Sequence, residues 1–136
     1  MTWLIAEDEA DIRGLIAMMF QVWGHQPLIF ENGQAVWDWL DKVENKSYDG
    51  PLPELVLMDI RMPGKRGNEI ANRMRSLASL KNCPIVLMTA YALSEAEQTQ
   101  MKNNDGVDQI LTKPLPDFEE LRSLLHNIHR QAQTTA

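Results

Sequence analysis

The sequence has a single cysteine, no long apolar segment and no cluster of basic residues, and each shortage excludes a class of protein. Cys83 cannot form an internal disulfide, which is typical of a protein kept in a reducing cytoplasm. No segment approaches the roughly 18 consecutive apolar residues of a membrane span. Residues 1–8 lack the basic start of a secretory signal, so we expect a cytoplasmic protein. The longest basic run is the pair Lys65 and Arg66 and the net charge is −6, so direct binding to nucleic acid is not expected.

Short apolar runs alternate along the chain with longer stretches of helical periodicity. The runs are typical of parallel strands buried on both faces, and they lie at residues 4–6, 28–30, 55–58, 85–88 and 107–111. In the first helical stretch the apolar residues are Ile12, Leu15, Ile16, Met19 and Trp23. This alternation predicts a doubly wound α/β fold of five parallel strands with right-handed crossovers, and it leaves the strand order open. We predict one domain over residues 1–130, a polar tail over 131–136 and no output domain.

Several helix ends are also predicted. Gly24 is expected to end the first helix. Ser94 with Glu97, and Asp117 with Glu120, have the spacing of capping boxes. The helix after Ser94 has few large apolar residues, so we expect it to be held weakly by the core.

Charged and hydroxyl side chains follow four of the predicted strands, at the edge where open α/β sheets bind ligands. In chain order they are Glu7, Asp8, Glu9, Asp59, Thr89 and Lys113. Converging carboxylates repel one another unless a cation intervenes, and Mg²⁺ favours oxygen ligands from carboxylates and a phosphate. A carboxylate can also accept a phosphoryl group, with Lys113 and Thr89 stabilising the phosphoryl oxygens. Taken singly, Asp8 is equally well explained as a helix cap, so the prediction depends on the joint placement.

Four segments in order resemble the receiver domain of two-component response regulators, over nearly the whole chain. They are residues 4–9, 55–64 and 85–90 and the pair Lys113 and Pro114. The Asp-x-x-Met-Pro-Gly sequence that begins at Asp59, followed by Gly67, is quite specific. The resemblance implies a flavodoxin-like sheet with strand order 2-1-3-4-5 and a cis peptide between Lys113 and Pro114.

By this resemblance, Asp59 is the phosphoacceptor in a Mg²⁺-dependent reaction. The implied metal ligands are the side chains of Glu7, Asp8 and Asp59 and the backbone carbonyl of Arg61. Glu7 replaces the Asp that is more usual in the family and is expected to bind through water. Thr89 is expected to close on the phosphoryl group, and Lys113 to pair with it.

Three positions bear on the lifetime of the phosphoryl group and on the spread of the signal. Arg61 and Tyr91 lie two residues after Asp59 and Thr89, and we hypothesise that they hinder the attacking water and lengthen the phosphorylated lifetime. The alternative is that both side chains simply lie on the surface. Ile110 stands where many receivers have a Tyr or Phe whose ring moves with the Thr, so the usual coupling is not expected. Activation would then run through the loop after Thr89 and the weakly held helix.

The implied function is a phosphorylation-dependent switch that signals through protein contacts. A sensor histidine kinase or a histidine phosphotransfer protein would load Asp59, and an unidentified downstream protein would read the changed surface. Whether two copies associate stays open, and family members use the face of helix four, strand five and helix five for this. Such a domain catalyses only its own phosphorylation and dephosphorylation. A phosphatase is disfavoured, because Arg61 occupies the place of its second acid, and a phosphorylation-independent interaction module is the alternative.

A few further side chains are interpreted as structural. Trp37 and Trp39 lie on different helix faces, so we assign one to the core, and the other is either half-buried or a partner surface. His126 and His129 are three residues apart and could in principle share a metal ion, but we favour the interpretation that they lie on a solvated helix face. Cys83 is expected to be a buried thiol, and the methionines at helical and strand positions are expected in the core.

Overall fold

The computed structural model describes residues 1–135, which form five strands and five helices in alternation. The strands are β1 (Thr2–Ala6), β2 (Gln26–Phe30), β3 (Leu55–Asp59), β4 (Ile85–Thr89) and β5 (Gln109–Thr112). The helices are α1 (Ala10–Val22), α2 (Gly33–Glu44), α3 (Gly67–Ser76), α4 (Glu95–Asn103) and α5 (Phe118–Thr135). All strand pairs are parallel and the order is β2-β1-β3-β4-β5, so the doubly wound topology and the implied strand order are confirmed.

The central strands and the edge strands differ in burial. β1, β3 and β4 are buried along their whole length, as their apolar runs predict. β2 and β5 lie at the edges and are partly exposed, and Ile29 of β2 is 50% exposed. The prediction that every strand is buried on both faces is therefore wrong for these two, because an edge strand is flanked on one side alone.

The helices form one layer on each face of the sheet. On one face α1 and α5 bury Ile16, Phe20, Leu121 and Leu125. On the other face α2, α3 and α4 bury Val36, Leu40, Ile70, Met74 and Met101. Within α4, whose residues are all described, only Met101 is buried, so the core holds this helix weakly, as predicted. Within residues 1–135, no helix is long and apolar enough to cross a membrane.

The predicted helix starts are present, and the last helix is longer than expected. The Ser94 hydroxyl accepts from the Glu97 N–H at 3.1 Å, and the Glu97 carboxylate accepts from the Ser94 N–H at 3.2 Å. The Asp117 carboxylate accepts from the Glu120 N–H at 2.9 Å. α5 continues through residues 131–135, which the sequence predicts to be a polar tail. Residue 136 of that tail lies outside the described residues.

α1 is apolar around more of its circumference than a surface helix needs. Gly24 follows it with a φ of +90°, which confirms the predicted stop. Met18 is 54% exposed, so the expectation that the methionines at helical positions lie in the core is wrong for this residue. Leu15 on the same helix is 53% exposed. Apolar residues on the outer face of a helix have no packing role inside the domain, and they form part of the groove described below.

The structure decides between several interpretations of single side chains. Trp39 is buried, and Trp37 is half-buried beneath the cationic ends of Lys65 and Arg73. The solvated face expected for the α5 histidines is wrong, since His129 is buried and His126 is partly covered. Both rings pack near an indole on the neighbouring strand β1. The two helix positions alone do not show this contact.

Arg75 joins α3 to the connections before β4 and β5. Its guanidinium donates to the carbonyls of Lys81, Cys83 and Gly106 and to the carboxylate of Asp108. The thiol of Cys83 is buried, as predicted, and lies 3.4 Å from the Pro53 carbonyl. The planar fork of a guanidinium suits several acceptors in fixed directions, so this side chain organises two loops at once.

Candidate functional site

Three carboxylates converge at the carboxyl edge of the sheet. Glu7 and Asp8 follow β1, and Asp59 is the last residue of β3, which pairs with β1 in parallel. Ligand oxygens of all three lie within 4.8 Å of one another. Glu7 is fully buried, Asp59 is 7% exposed, and Asp8 faces solvent. An oxygen-rich group of this kind suits a hard divalent cation such as Mg²⁺.

The ammonium of Lys113 lies inside this acidic group. Its Nζ donates to Oε1 of Glu7 at 2.5 Å and to Oδ2 of Asp59 at 2.6 Å. The backbone N–H of Lys113 donates to the carbonyl of Thr89 at 2.7 Å, so the lysine is anchored to the end of β4. The peptide bond between Lys113 and Pro114 is cis, as the resemblance implies.

Burial and charge shift the pKa values of both partners of this ion pair. Burial raises the pKa of Glu7 to about 7, with Asp8 and Asp59 adding to the rise, while Lys113 opposes it. Burial by itself lowers the pKa of Lys113, but the hydrogen bonds to Asp59 and Glu7 and their negative charges raise it overall. Lys113 therefore stays charged and supplies the positive charge that holds the carboxylates together.

Arg61 and Tyr91 are brought into contact beside the acidic group. The N–H of Arg61 donates to Oδ1 of Asp59 at 3.0 Å, and the N–H of Tyr91 donates to Oγ1 of the buried Thr89, also at 3.0 Å. The guanidinium carbon of Arg61 lies 3.9 Å from the centroid of the Tyr91 ring. This cation–π contact links the loop after β3 to the loop after β4.

Gly67 allows α3 to begin directly against the end of β3. A Cβ atom at Gly67 would lie 2.5 Å from the carbonyl oxygen of Asp59 and 3.2 Å from the Cα of Ile60. The Gly67 N–H donates to the Ile60 carbonyl at 2.9 Å. Glycine is therefore needed here for the close approach of two backbones.

Ile110 lies apart from these polar side chains. It pairs with Leu87 in the β4–β5 register and is half-buried against the cluster beneath α2, α3 and α4. The position therefore has neither a ring nor a hydroxyl that could follow a movement of Thr89. The other predicted side chains meet at the carboxyl edge of the sheet, whereas Ile110 packs against the hydrophobic core.

An apolar groove beside the acidic group is a feature that the motifs do not indicate. It has a volume of about 470 Å³ and lies between α1 and the β5–α5 loop. Its walls include Leu15, Met18, Val22, Leu115 and Phe118, and Lys113 also lines it. The excess of apolar residues around α1 is the sequence signal that could have revealed it.

The sequence profile of the response regulator receiver domain family matches residues 3–126. The protein belongs to this family. Receiver domains are the phosphorylation switches of two-component signalling, and they are signalling domains, not classical enzymes. They bind Mg²⁺ at an acidic site and interact with histidine kinases or phosphotransfer proteins.

Two curated relatives illustrate the range of proteins that contain such a receiver domain. Sporulation initiation phosphotransferase F of Bacillus subtilis is 32% identical over 119 residues, which cover 88% of this chain and 86% of the relative. The phosphate regulon transcriptional regulatory protein PhoB of Pseudomonas aeruginosa is 33% identical over 118 residues, 87% of this chain and 47% of the relative. The receiver domain thus spans about half the length of the PhoB proteins it matches.

Solved structures share the fold. A CheY-like receiver domain protein from Methanospirillum hungatei superposes with a TM-score of 0.79 over 99% of this chain and 98% of that protein, at 21% identity. A Thermotoga maritima response regulator, solved in complex with Mg²⁺-BeF, gives a TM-score of 0.70 at 26% identity over 93% of this chain and 97% of that protein.

Proposed function

We propose that Asp59 accepts a phosphoryl group from a phosphohistidine in a Mg²⁺-dependent reaction, and that the modified domain then signals through protein contacts. The observation that supports this best is the Asp59 carboxylate, held by Lys113 next to two further carboxylates. A buried acid positioned by a lysine is a suitable phosphoryl acceptor, because the lysine also balances the charge that accumulates during transfer. The two reactants are the phosphohistidine of a donor protein and the Asp59 carboxylate of this domain.

The transfer needs no other catalytic base. An oxygen of Asp59 bonds to phosphorus, the phosphorus–nitrogen bond of the donor histidine breaks, and its electron pair stays on the imidazole, which takes up a proton. Lys113 remains positioned to pair with an oxygen of the acyl phosphate, and the Thr89 hydroxyl to donate to another. Water later attacks phosphorus and regenerates the Asp59 carboxylate. We propose that the bulk of Arg61 and Tyr91 hinders that water.

The acidic group fits the Mg²⁺ that this family binds. Glu7, Asp8 and Asp59 are the side chains that would hold it, together with the backbone carbonyl of Arg61. The bound ion would neutralise charge shared by the carboxylates and the phosphoryl oxygens. The domain would act on itself alone, because Arg61 stands where a phosphatase of this chemistry needs a second acid and Arg cannot accept a proton.

The decisive experiment is intact-mass analysis after incubation with Mg²⁺ and acetyl phosphate. Wild type should gain one phosphoryl group that is stable in acid. Asp59→Asn should gain none, and Asp49→Asn, a change of an exposed loop carboxylate, should behave as wild type. An adduct that persists in Asp59→Asn would refute the assignment. If wild type gains none and beryllofluoride leaves its spectra unchanged, the phosphorylation-independent interaction module becomes the better reading.

We also propose that the donor protein covers the groove between α1 and the β5–α5 loop. A donor histidine can reach Asp59 only if its protein rests on the adjoining surface, and the groove is the apolar surface that borders Lys113. Burial of its exposed side chains would supply association energy at about 25 cal/mol for each Å². The groove thus places a hydrophobic contact area beside the reacting carboxylate.

A comparison of two phosphoryl donors tests this docking surface. Leu15→Glu should slow transfer from a phosphorylated histidine phosphotransfer protein that loads wild type, and should leave loading by acetyl phosphate unchanged. Ile29→Glu is the matched control, since Ile29 is equally exposed but lies on the edge strand β2. Equal transfer rates for Leu15→Glu and wild type would refute the docking surface and leave the role of Asp59 untouched.

A further inference from the structure

Three histidines surround one indole at the amino edge of the sheet, opposite the acidic group. The ring of His25 stacks on Trp3 of β1 with centroids 3.9 Å apart and planes at 15°. His126 and His129 of α5 lie 4.7 Å and 6.2 Å from the same indole. His25 and His129 are 8% and 7% exposed. The receiver chemistry proposed above uses none of these imidazoles.

The hydrogen bonds of His126 fix where its proton lies. Its Nδ1 is 2.7 Å from the carbonyl oxygen of Arg122, which can only accept, so Nδ1 is the donor. The Nε2 of a neutral His126 therefore presents a lone pair. That lone pair faces Nε2 of His25 at 2.9 Å, so His25 donates from Nε2.

The other nitrogen of His25 is free to take that proton. Its Nδ1 is buried and has no hydrogen-bond partner among the described residues. Moving the proton from Nε2 to Nδ1 therefore breaks only the hydrogen bond between the two rings, and it leaves a buried N–H without an acceptor, a cost that metal binding must offset. After the move, two Nε2 lone pairs point into the same space. Burial, with the nearby His126, lowers the pKa of His25 to about 4, so the ring is neutral at pH 7.

We propose that His25 and His126 form a binding site for a divalent transition-metal ion of the zinc and copper class. Imidazole nitrogens are preferred ligands of these ions. Zinc–nitrogen bonds of about 2.0–2.1 Å at a tetrahedral angle require a nitrogen separation of about 3.3 Å. The observed 2.9 Å needs a small parting of the rings. Histidines that bind metals usually donate their other ring N–H to a fixed acceptor, which orients the ring. The hydrogen bond from Nδ1 of His126 to the Arg122 carbonyl has this role.

The surroundings decide the strength and selectivity of this site. The charged and titratable groups near His25 are the amino terminus, Glu54, His126 and His129. Among the described residues, the acidic group is the one set of three His, Cys, Asp or Glu donors close enough to share an ion. Water would therefore complete the coordination at the histidine pair. Mg²⁺ favours oxygen ligands, so the two ends of the sheet would select different metals.

Bound metal would join α5 to the connection between α1 and β2. His126 lies in α5, and His25 lies between α1 and β2. An ion that binds the folded chain and not the unfolded chain stabilises it in proportion to the logarithm of its concentration over Kd. The bound ion would therefore stabilise the packing of α5 against β1, at the sheet edge opposite Asp59.

Calorimetric titration with Zn²⁺ in excess Mg²⁺ tests the site. Wild type should bind one Zn²⁺, and His126→Gln should bind it at least about tenfold more weakly. His129→Gln should retain binding, because that ring is outside the pair. Asp8→Asn should also retain it, which separates this site from the acidic group. A wild type without saturable binding, or binding that survives His126→Gln, would overturn the proposal.

A second readout covers variants that fold poorly. The melting temperature of wild type should rise with Zn²⁺, and that of His25→Gln and His126→Gln should not. The total tryptophan fluorescence should also change as Zn²⁺ is added, since the indole of Trp3 stacks on a ligand ring. An equal rise of the melting temperature in His126→Gln and wild type would show that the ion binds elsewhere. Because none of these readings involves phosphorylation, they stand or fall independently of Asp59.

Discussion

Replacing Lys113 by methionine removes the one ammonium that two buried carboxylates share. Lys113 donates to Glu7 and Asp59, and its side chain is 13% exposed. Methionine keeps much of the length of the aliphatic chain, so the change removes mainly the charge and its hydrogen bonds. We expect Lys113→Met to lower the free energy of unfolding in the absence of Mg²⁺.

The size of this loss of stability depends on whether the Glu7 carboxylate can take up a proton. Removing one partner of a buried ion pair costs about 3–5 kcal/mol. Burial already raises the pKa of Glu7 to about 7, and the loss of Lys113 removes the main opposing interaction. The pKa of Glu7 is higher in the folded protein than in the unfolded chain. The stability that Glu7 contributes is therefore lost as the pH rises through its folded-state pKa. We therefore expect a loss of about 3 kcal/mol at pH 8 and a smaller loss at pH 6.

Urea unfolding followed by tryptophan fluorescence, in EDTA at both pH values, measures this loss. In a double-mutant cycle, Glu7→Gln should restore much of the stability lost in Lys113→Met, with a coupling free energy of about 2 kcal/mol at pH 8. Lys102→Met, which changes an exposed lysine of α4, is the control and should have little effect. A coupling below about 0.5 kcal/mol would refute the idea that Lys113 acts through the charge of Glu7.

Three further perturbations test other features of the structure. Arg75→Lys should lower the free energy of unfolding by about 3 kcal/mol, because one ammonium cannot replace the several hydrogen bonds of the guanidinium fork. Arg122→Lys, at a half-exposed ion pair, should cost under about 0.5 kcal/mol in the same urea titration. Burial raises the pKa of Cys83 to about 12, so iodoacetamide at pH 8 should label it in urea and not in the folded protein, as mass spectrometry would show. Arg61→Ala and Tyr91→Ala should each speed hydrolysis of the phosphorylated domain several-fold, and unchanged rates would contradict their shielding role.

Local signals predicted the helices and strands well, because each depends on neighbours in the chain. The reciprocal bonds of Ser94 and Glu97 span three residues, so their spacing alone indicates the cap. Strand order depends on which crossovers place β1 between β2 and β3, and apolar periodicity contains no record of that. The order could be predicted only from the family resemblance.

Two features could not be predicted from the sequence: the exposure of the edge strands, and the contacts between segments that are distant in the chain. The run around Ile29 has the same apolar composition as a central strand, yet the residue is half exposed because β2 ends the sheet. The spacing of His126 and His129 describes one helix face and does not show what packs on it. His25, which contacts that face, is 101 positions away from His126. Such pairs become visible only when the fold is known.

The contact between Arg61 and Tyr91 offers a route for the signal that does not need a ring at position 110. Bonds join Asp59 to the Arg61 N–H and Thr89 to the Tyr91 N–H, and the two side chains stack on each other. If the Thr89 hydroxyl turns to a phosphoryl oxygen, it releases the Tyr91 N–H, and the loop before the weakly held α4 must rearrange. Added beryllofluoride should therefore change amide hydrogen exchange in α4 of wild type, and change it much less in Tyr91→Ala. An equal change in both proteins would mean that the signal reaches α4 without this stack.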